Sequence, residues 1–143
     1  MEEARVAAAE NYAPAAMYTY REAGWLIVEL KNGKFAYTNA YVTDPGARTG
    51  ATISPEWVSS WDGVKSVAEG WHTHWDKNEV FSGQDGFWVS TNRKIPFHVI
   101  NYKGHVRQLK FRNIRSYKKG TTYIMPGTID GKKLDMTVNI KYR

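Results

Sequence analysis

The run Gly24-Trp25-Leu26-Ile27-Val28-Glu29-Leu30 is apolar almost throughout and stops at Asn32-Gly33. An Asn-Gly pair is a strong two-residue hairpin signal, because both central positions of that turn need positive φ. The chain must therefore double back through Lys34-Phe35-Ala36-Tyr37-Thr38, continuing towards Val42. Any fold open to this sequence is built on a sheet that contains this hairpin.

The flanking segments add helices. Residues 2–12 are Ala-rich, with Val6 and Ala9 on one side and charges opposite, and predict a helix that Pro14 ends or bends. Asp44-Pro45-Gly46 breaks the strand pattern, and residues 44–54 read as a loop. Ser54-Pro55-Glu56-Trp57 predicts a second helix, with Ser54 as cap, Pro55 at its first position, and Trp57 and Trp61 on one face. Residues 66–74 read as a strand, and residues 83–92 as a helix capped by Ser82. A second hairpin is expected from 95–101 and 105–111 around Lys103-Gly104. The tail from Thr121 reads as strands, with a turn at Asp130-Gly131 and an alternating run through Leu134, Met136, Val138 and Ile140. The expected fold is α+β: a mixed, curved sheet flanked by helices, formed by residues 1–143 as one domain.

The strand at 66–74 carries His72 and His74, which alternation places on one side. Seven residues separate His74 from Ser82 and two separate Ser82 from Asp85, giving H-x-H-x7-S-x2-D. Asp85 would lie in the first turn of its helix, where the dipole favours a carboxylate. Two imidazoles and one carboxylate make a three-point site that suits Zn2+ with a fourth position open to water. The chain has no Cys, so thiolate ligands, disulfides and a Cys nucleophile are excluded. Asp76 is the substitute for Asp85 if the intervening loop folds inward. His98 and His105 have no such company and are read as core or surface residues.

This motif resembles that of the JAMM (MPN+, JAB) zinc metallopeptidases. The resemblance implies a JAMM, cytidine-deaminase-like architecture and cleavage of a peptide or isopeptide bond. It implies that His72, His74 and Asp85 hold zinc, that Ser82 stabilises the oxyanion, and that a Glu before the first strand is the general base. Glu22, fifty residues ahead of His72, fits that place. Its gap to Gly24 is one residue where the family has two, and Trp75 stands where the family has Pro. Glu29 is the second candidate base, with an outward position on a half-exposed strand as its plain structural reading. Glu69 is discounted, since alternation turns it away from both His. The hairpin, the His pair and Phe81-Ser82 also resemble a JAMM-related branch of bacterial polymorphic-toxin and effector domains. That branch implies a larger carrier, delivery into a target cell and a cognate immunity protein as partner.

Two other readings remain open. One is a catalytically inactive JAMM-like binding module. The other is a basic nuclease-like toxin domain, motivated by the net charge of +6 and by Arg107, Lys110, Arg112, Arg115, Lys118 and Lys119 interleaved with Phe111 and Tyr117. Nucleic acid is not the favoured partner, because no compact acidic cluster for two-metal cleavage is present. No apolar run reaches membrane-spanning length, and the acidic start lacks a signal-peptide core. The expected location is the cytoplasm, or a target cell reached as part of a secreted effector. Trp71, Trp75 and Trp88 are candidates for an aromatic groove wall, with core packing expected of at least one.

Overall fold

The computed structural model describes residues 1–46, 53–75, 83–100, 106–112 and 121–123. Its elements run α1 (Glu2–Tyr18), β1 (Ala23–Leu30), β2 (Phe35–Tyr37), β3 (Tyr41–Val42), α2 (Pro55–Ser59), β4 (Val64–Thr73), α3 (Gly83–Thr91), β5 (Phe97–Ile100), β6 (Val106–Leu109) and β7 (Thr121–Tyr123). The strands form one mixed sheet in the order β2-β1-β4-β5-β6-β7, with β3 beside the start of β1. Only β4 and β5 pair in parallel among the described strands, and α3 makes the crossover between them. The α+β expectation holds, with α1 on one face and α2 and α3 on the other.

The first hairpin forms where the Asn-Gly pair predicts, but through a three-residue loop: Leu30 N–H bonds the Lys34 carbonyl at 2.8 Å, and of the pair only Gly33 has a positive φ. Gly33 has a φ of 83°, and β2 returns with Ile27 opposite Tyr37. The second helix also starts where expected, with the Ser54 hydroxyl accepting from the Trp57 N–H at 3.3 Å. Trp57 and Trp61 meet edge to face at 5.0 Å, but both rings stay exposed. The hairpin strands β5 and β6 pair as expected; their turn, His105, the strands beyond Tyr123 and the loop with Asp76 lie outside the described residues.

The first helix departs from its predicted end: α1 runs through Pro14 to Tyr18. A proline removes one backbone bond, to the carbonyl four residues back. Here that carbonyl belongs to the exposed Glu10. Beyond the proline, Ala16 and Met17 remain buried against the sheet, so packing carries the helix on. The stripe that packs is Ala4, Ala8, Ala9, Ala13 and Ala16, with Val6 only at its edge. The helix stops in a Schellman turn. Arg21 N–H bonds the Ala16 carbonyl, Tyr20 N–H bonds the Met17 carbonyl, and Tyr20 takes the left-handed conformation at φ 57°. This turn aims the chain into β1.

The sheet separates two cores. Ala23, Trp25, Ile27 and Trp71 pack under α1, while Leu26, Val28, Phe97, Val99 and Leu109 pack under Trp88 and Val89 of α3. In β4, Ala68 has no partner between Val67 (opposite Val28) and Glu69 (opposite Ile27), which makes a bulge. From Glu69 onward alternation is regular, so Glu69 and Trp71 face α1, whereas Gly70 and His72 face α3.

Candidate metal centre

His72 is the penultimate residue of β4, and His74 stands one residue past the strand end, held by a bond from its N–H to the Ile100 carbonyl at 2.9 Å. Asp85 lies in the first turn of α3. Trp88 and Val89 follow one turn later on the same helix face and are buried against the sheet, so packing of α3 fixes where the carboxylate sits. Gly70, one pair of residues before His72, lets the Trp88 indole rest directly on the strand.

These three side chains converge. One ligand atom from each of His72, His74 and Asp85 lies within 4.8 Å of the others, and all three residues are buried. His72 Nε2 is 3.3 Å from Asp85 Oδ1, and His74 Nε2 is 3.9 Å from Asp85 Oδ2. Zinc–ligand bonds near 2.0–2.2 Å would give a tetrahedral edge of about 3.3–3.5 Å. The first separation is already such an edge, and the second needs only a small closing movement.

The donor chemistry also fits. Burial pushes the His72 imidazole down to about 3, so at neutral pH it is uncharged and keeps a lone pair. Among the described residues, neither of its buried ring nitrogens has a hydrogen-bond partner, although one faces a carboxylate. Buried polar atoms are ordinarily paired, and a cation between imidazole and carboxylate would supply what is lacking. Two imidazoles and one carboxylate suit zinc and are not specific to it, since the same set holds iron(II) in other proteins.

Glu22 is buried at the entrance to β1. Its backbone is locked to Thr43, whose hydroxyl accepts from Glu22 N–H at 3.0 Å and whose own N–H bonds the Glu22 carbonyl. Gly24 pairs with His72, and Ala23 N–H bonds the Thr73 hydroxyl, so Glu22 comes level with His74 at the same end of the sheet. Alternation from Gly24 and Leu26 puts Glu22 on the face that carries His72. Its carboxylate is not among the three groups whose ligand atoms converge. Glu29 is elsewhere: it pairs with Ser66, about 17 Å along the strand from the Gly24 level, and reaches exposed Lys65 at 3.4 Å. Ser82 lies outside the described residues.

Glu69 faces away from the pair, as alternation requires, into an ionic network that the sequence does not announce. Arg5 of α1 holds both its carboxylate oxygens, with Nε at 2.6 Å from Oε1, and Trp71 Nε1 donates to Oε1 at 3.1 Å. His98 lies behind, stacked on Trp71 at 4.2 Å, with Nε2 3.6 Å from Glu69 and 3.0 Å from Gln108 Nε2. Burial pushes the Glu69 carboxyl up, but Arg5, His98 and Trp71 outweigh it and hold it below the ordinary value. Burial, partly offset by Glu69, takes His98 down to about 4. His98 is therefore a core residue.

Of the three tryptophans proposed for a groove wall, Trp71 is in the α1 core and Trp88 is under α3. Trp75 alone is partly exposed, edge to face with Tyr20 at 5.7 Å. Phe111 is half-buried, with the Arg93 guanidinium 4.7 Å above its ring, so it is not a free stacking platform. No described helix is long and apolar enough to cross a membrane. Compared with known proteins, the chain matches no family model and no curated sequence.

Proposed function

We propose that this chain is a zinc-dependent hydrolase of the JAMM type, with the JAMM, cytidine-deaminase-like architecture, acting on a peptide or isopeptide bond. The observation that carries the reading is the convergence of His72, His74 and Asp85 in one buried place at the sheet end where β1 begins. His72 and His74 come from a strand end and Asp85 from the first turn of the following helix, so the ligands hang on rigid elements. A zinc ion held there would act as a Lewis acid, making water more acidic and polarising a scissile carbonyl.

The chain's own groups supply the remainder. Glu22 takes a proton from the attacking water and hands it to the leaving amine. Its buried position at the level of His74 supports that role, and the place of Glu29 at the far end of β1 leaves Glu22 as the candidate. Ser82, three residues before Asp85, donates to the oxyanion of the tetrahedral intermediate. The resemblance to toxin and effector domains makes delivery by a carrier and neutralisation by an immunity protein part of the same proposal.

Metal analysis paired with a substrate screen tests the reading. Protein purified and then supplied with zinc should hold one equivalent. Glu22→Gln should keep that zinc and lose cleavage of peptide- and isopeptide-linked libraries, whereas His72→Ala should lose both. Failure of the wild-type protein to retain zinc would end the enzyme reading in favour of a binding module. Metal-dependent cleavage of RNA or DNA would replace it with the nuclease.

A further inference from the structure

On the face of the sheet opposite the His pair, a cleft of about 590 Å³ opens between the last two turns of α1 and the start of β1 and β3. It exists because the residues that meet there are small. Ala15 and Ala16 of the helix and Ala23 of the strand leave space that larger side chains would fill. Its volume is in the range of small-ligand sites, which pair an apolar lining with a few converging polar groups.

The polar groups here are selective. Arg21 is the one charged side chain among the described residues that line the cleft. Among the described residues its single hydrogen bond is long, 3.4 Å from Nη1 to the Thr43 carbonyl, so most of its five N–H donors are open to a ligand there. The two hydroxyls of the cleft have spent their protons: Thr19 donates to the Ala15 carbonyl at 2.8 Å and Tyr12 to the Thr38 carbonyl at 2.9 Å. The last carbonyls of α1 are likewise committed, because Ala15 accepts from Thr19, Ala16 from Arg21 and Met17 from Tyr20. Asn39 adds an amide with no hydrogen bond among the described residues. The donors left over are the Arg21 guanidinium and the amides of Asn39 and Asn11, and what they match is an acceptor with negative charge.

We propose that this cleft binds a carboxylate-bearing ligand, with Arg21 as its anchor and Asn39 as a second donor. A single guanidinium matches a planar, singly charged carboxylate through two parallel bonds. A phosphate would bring more negative charge on a single group than one arginine balances. The carboxylate can belong to a peptide C-terminus or to a free small acid. The cleft and the metal centre are on opposite faces, so occupancy is independent of metal.

Calorimetric titration of the full chain tests this with acetyl-Gly-Gly, its C-terminal amide, succinate and inorganic phosphate, each with and without a chelator. Either acetyl-Gly-Gly or succinate should bind, whichever is tighter naming the source of the carboxylate. The amide should be weaker than its acid by about tenfold or more, the loss expected for a charge-assisted pair. Arg21→Gln should weaken the acid to the level of the amide while the melting temperature of the free protein stays unchanged. Ala16→Leu, which fills the cleft, should abolish binding. Removing metal should change nothing. Equal binding of acid and amide, tighter binding of phosphate, undiminished binding by Arg21→Gln, or no binding by either acid would overturn the proposal. None of these outcomes depends on whether the chain hydrolyses anything.

Discussion

Gly70→Ala probes how the metal centre is supported. A Cβ on Gly70 would lie 2.6 Å from Trp88 Cη2, 2.9 Å from Trp88 Cζ2 and 2.8 Å from Phe97 Cδ2. Ordinary carbon contacts are about 3.5–4.0 Å, so something must retreat by about 1 Å. Both neighbours are rigid rings. Phe97 is fixed in β5 directly opposite Gly70, which leaves Trp88 and with it α3. Overpacking of this kind costs about 1–3 kcal/mol. Because Asp85 is one turn before Trp88, a shift of α3 also draws the carboxylate from His72, now 3.3 Å away. Disturbed support behind a metal ligand typically lowers affinity by about 10- to 100-fold. Urea denaturation of the metal-free protein measures the first effect, and competition with a chromophoric zinc chelator measures the second. Adding Trp88→Leu makes room, so the double variant should recover zinc affinity relative to Gly70→Ala, with a favourable coupling in the mutant cycle. A Gly70→Ala protein within about 0.5 kcal/mol of wild type, with unchanged zinc affinity, would show that α3 does not depend on this contact.

In metal-free protein, His72 and His98 stay neutral when folded but take up protons when unfolded once pH drops below their ordinary value. Stability should therefore fall with acid, by about 2 kcal/mol for each between about pH 7.5 and pH 5, and a flat melting temperature over that window would contradict the burial of both rings. Arg5→Ala strands the Glu69 carboxylate and should cost about 3–5 kcal/mol; the loss should be smaller in acid, where Glu69 can protonate, and Glu69→Gln in the same background should recover part of it in chemical denaturation. Zinc at about a hundred times its dissociation constant should stabilise the fold by about 3 kcal/mol, seen as a higher melting temperature that Asp85→Asn removes.

What could be read from the sequence was local. Asn32-Gly33 marks where the chain reverses though not the turn type, Ser54-Pro55 carries its own cap, and the His pair declares its face through alternation. Asp85 could be placed because it follows a recognisable helix start. The continuation of α1 past Pro14 could not, since the alanines that hold it act through contact with strands far along the chain. Nor did its end carry the usual glycine, because Tyr20 occupies the left-handed position. The Arg5–Glu69 pair joins residues 64 apart in the chain, and no neighbouring residue signals it. Likewise, the fate of Trp71 and Trp88 depends on which sheet face and which helix cover them, which spacing alone does not state.

The unpaired Ala68 determines which length changes β4 can absorb. Residues before it take their register from Val28 to Leu30, and residues after it from Gly24 to Ile27. A residue lost at the bulge would remove only the unpaired position and leave both halves in register with β1. The same loss between Glu69 and His72 would invert one side of the break, sending either the His72 imidazole into the alanine-lined core or the Glu69 carboxylate to the opposite face. Tolerance to insertion and deletion should therefore change abruptly within a single strand.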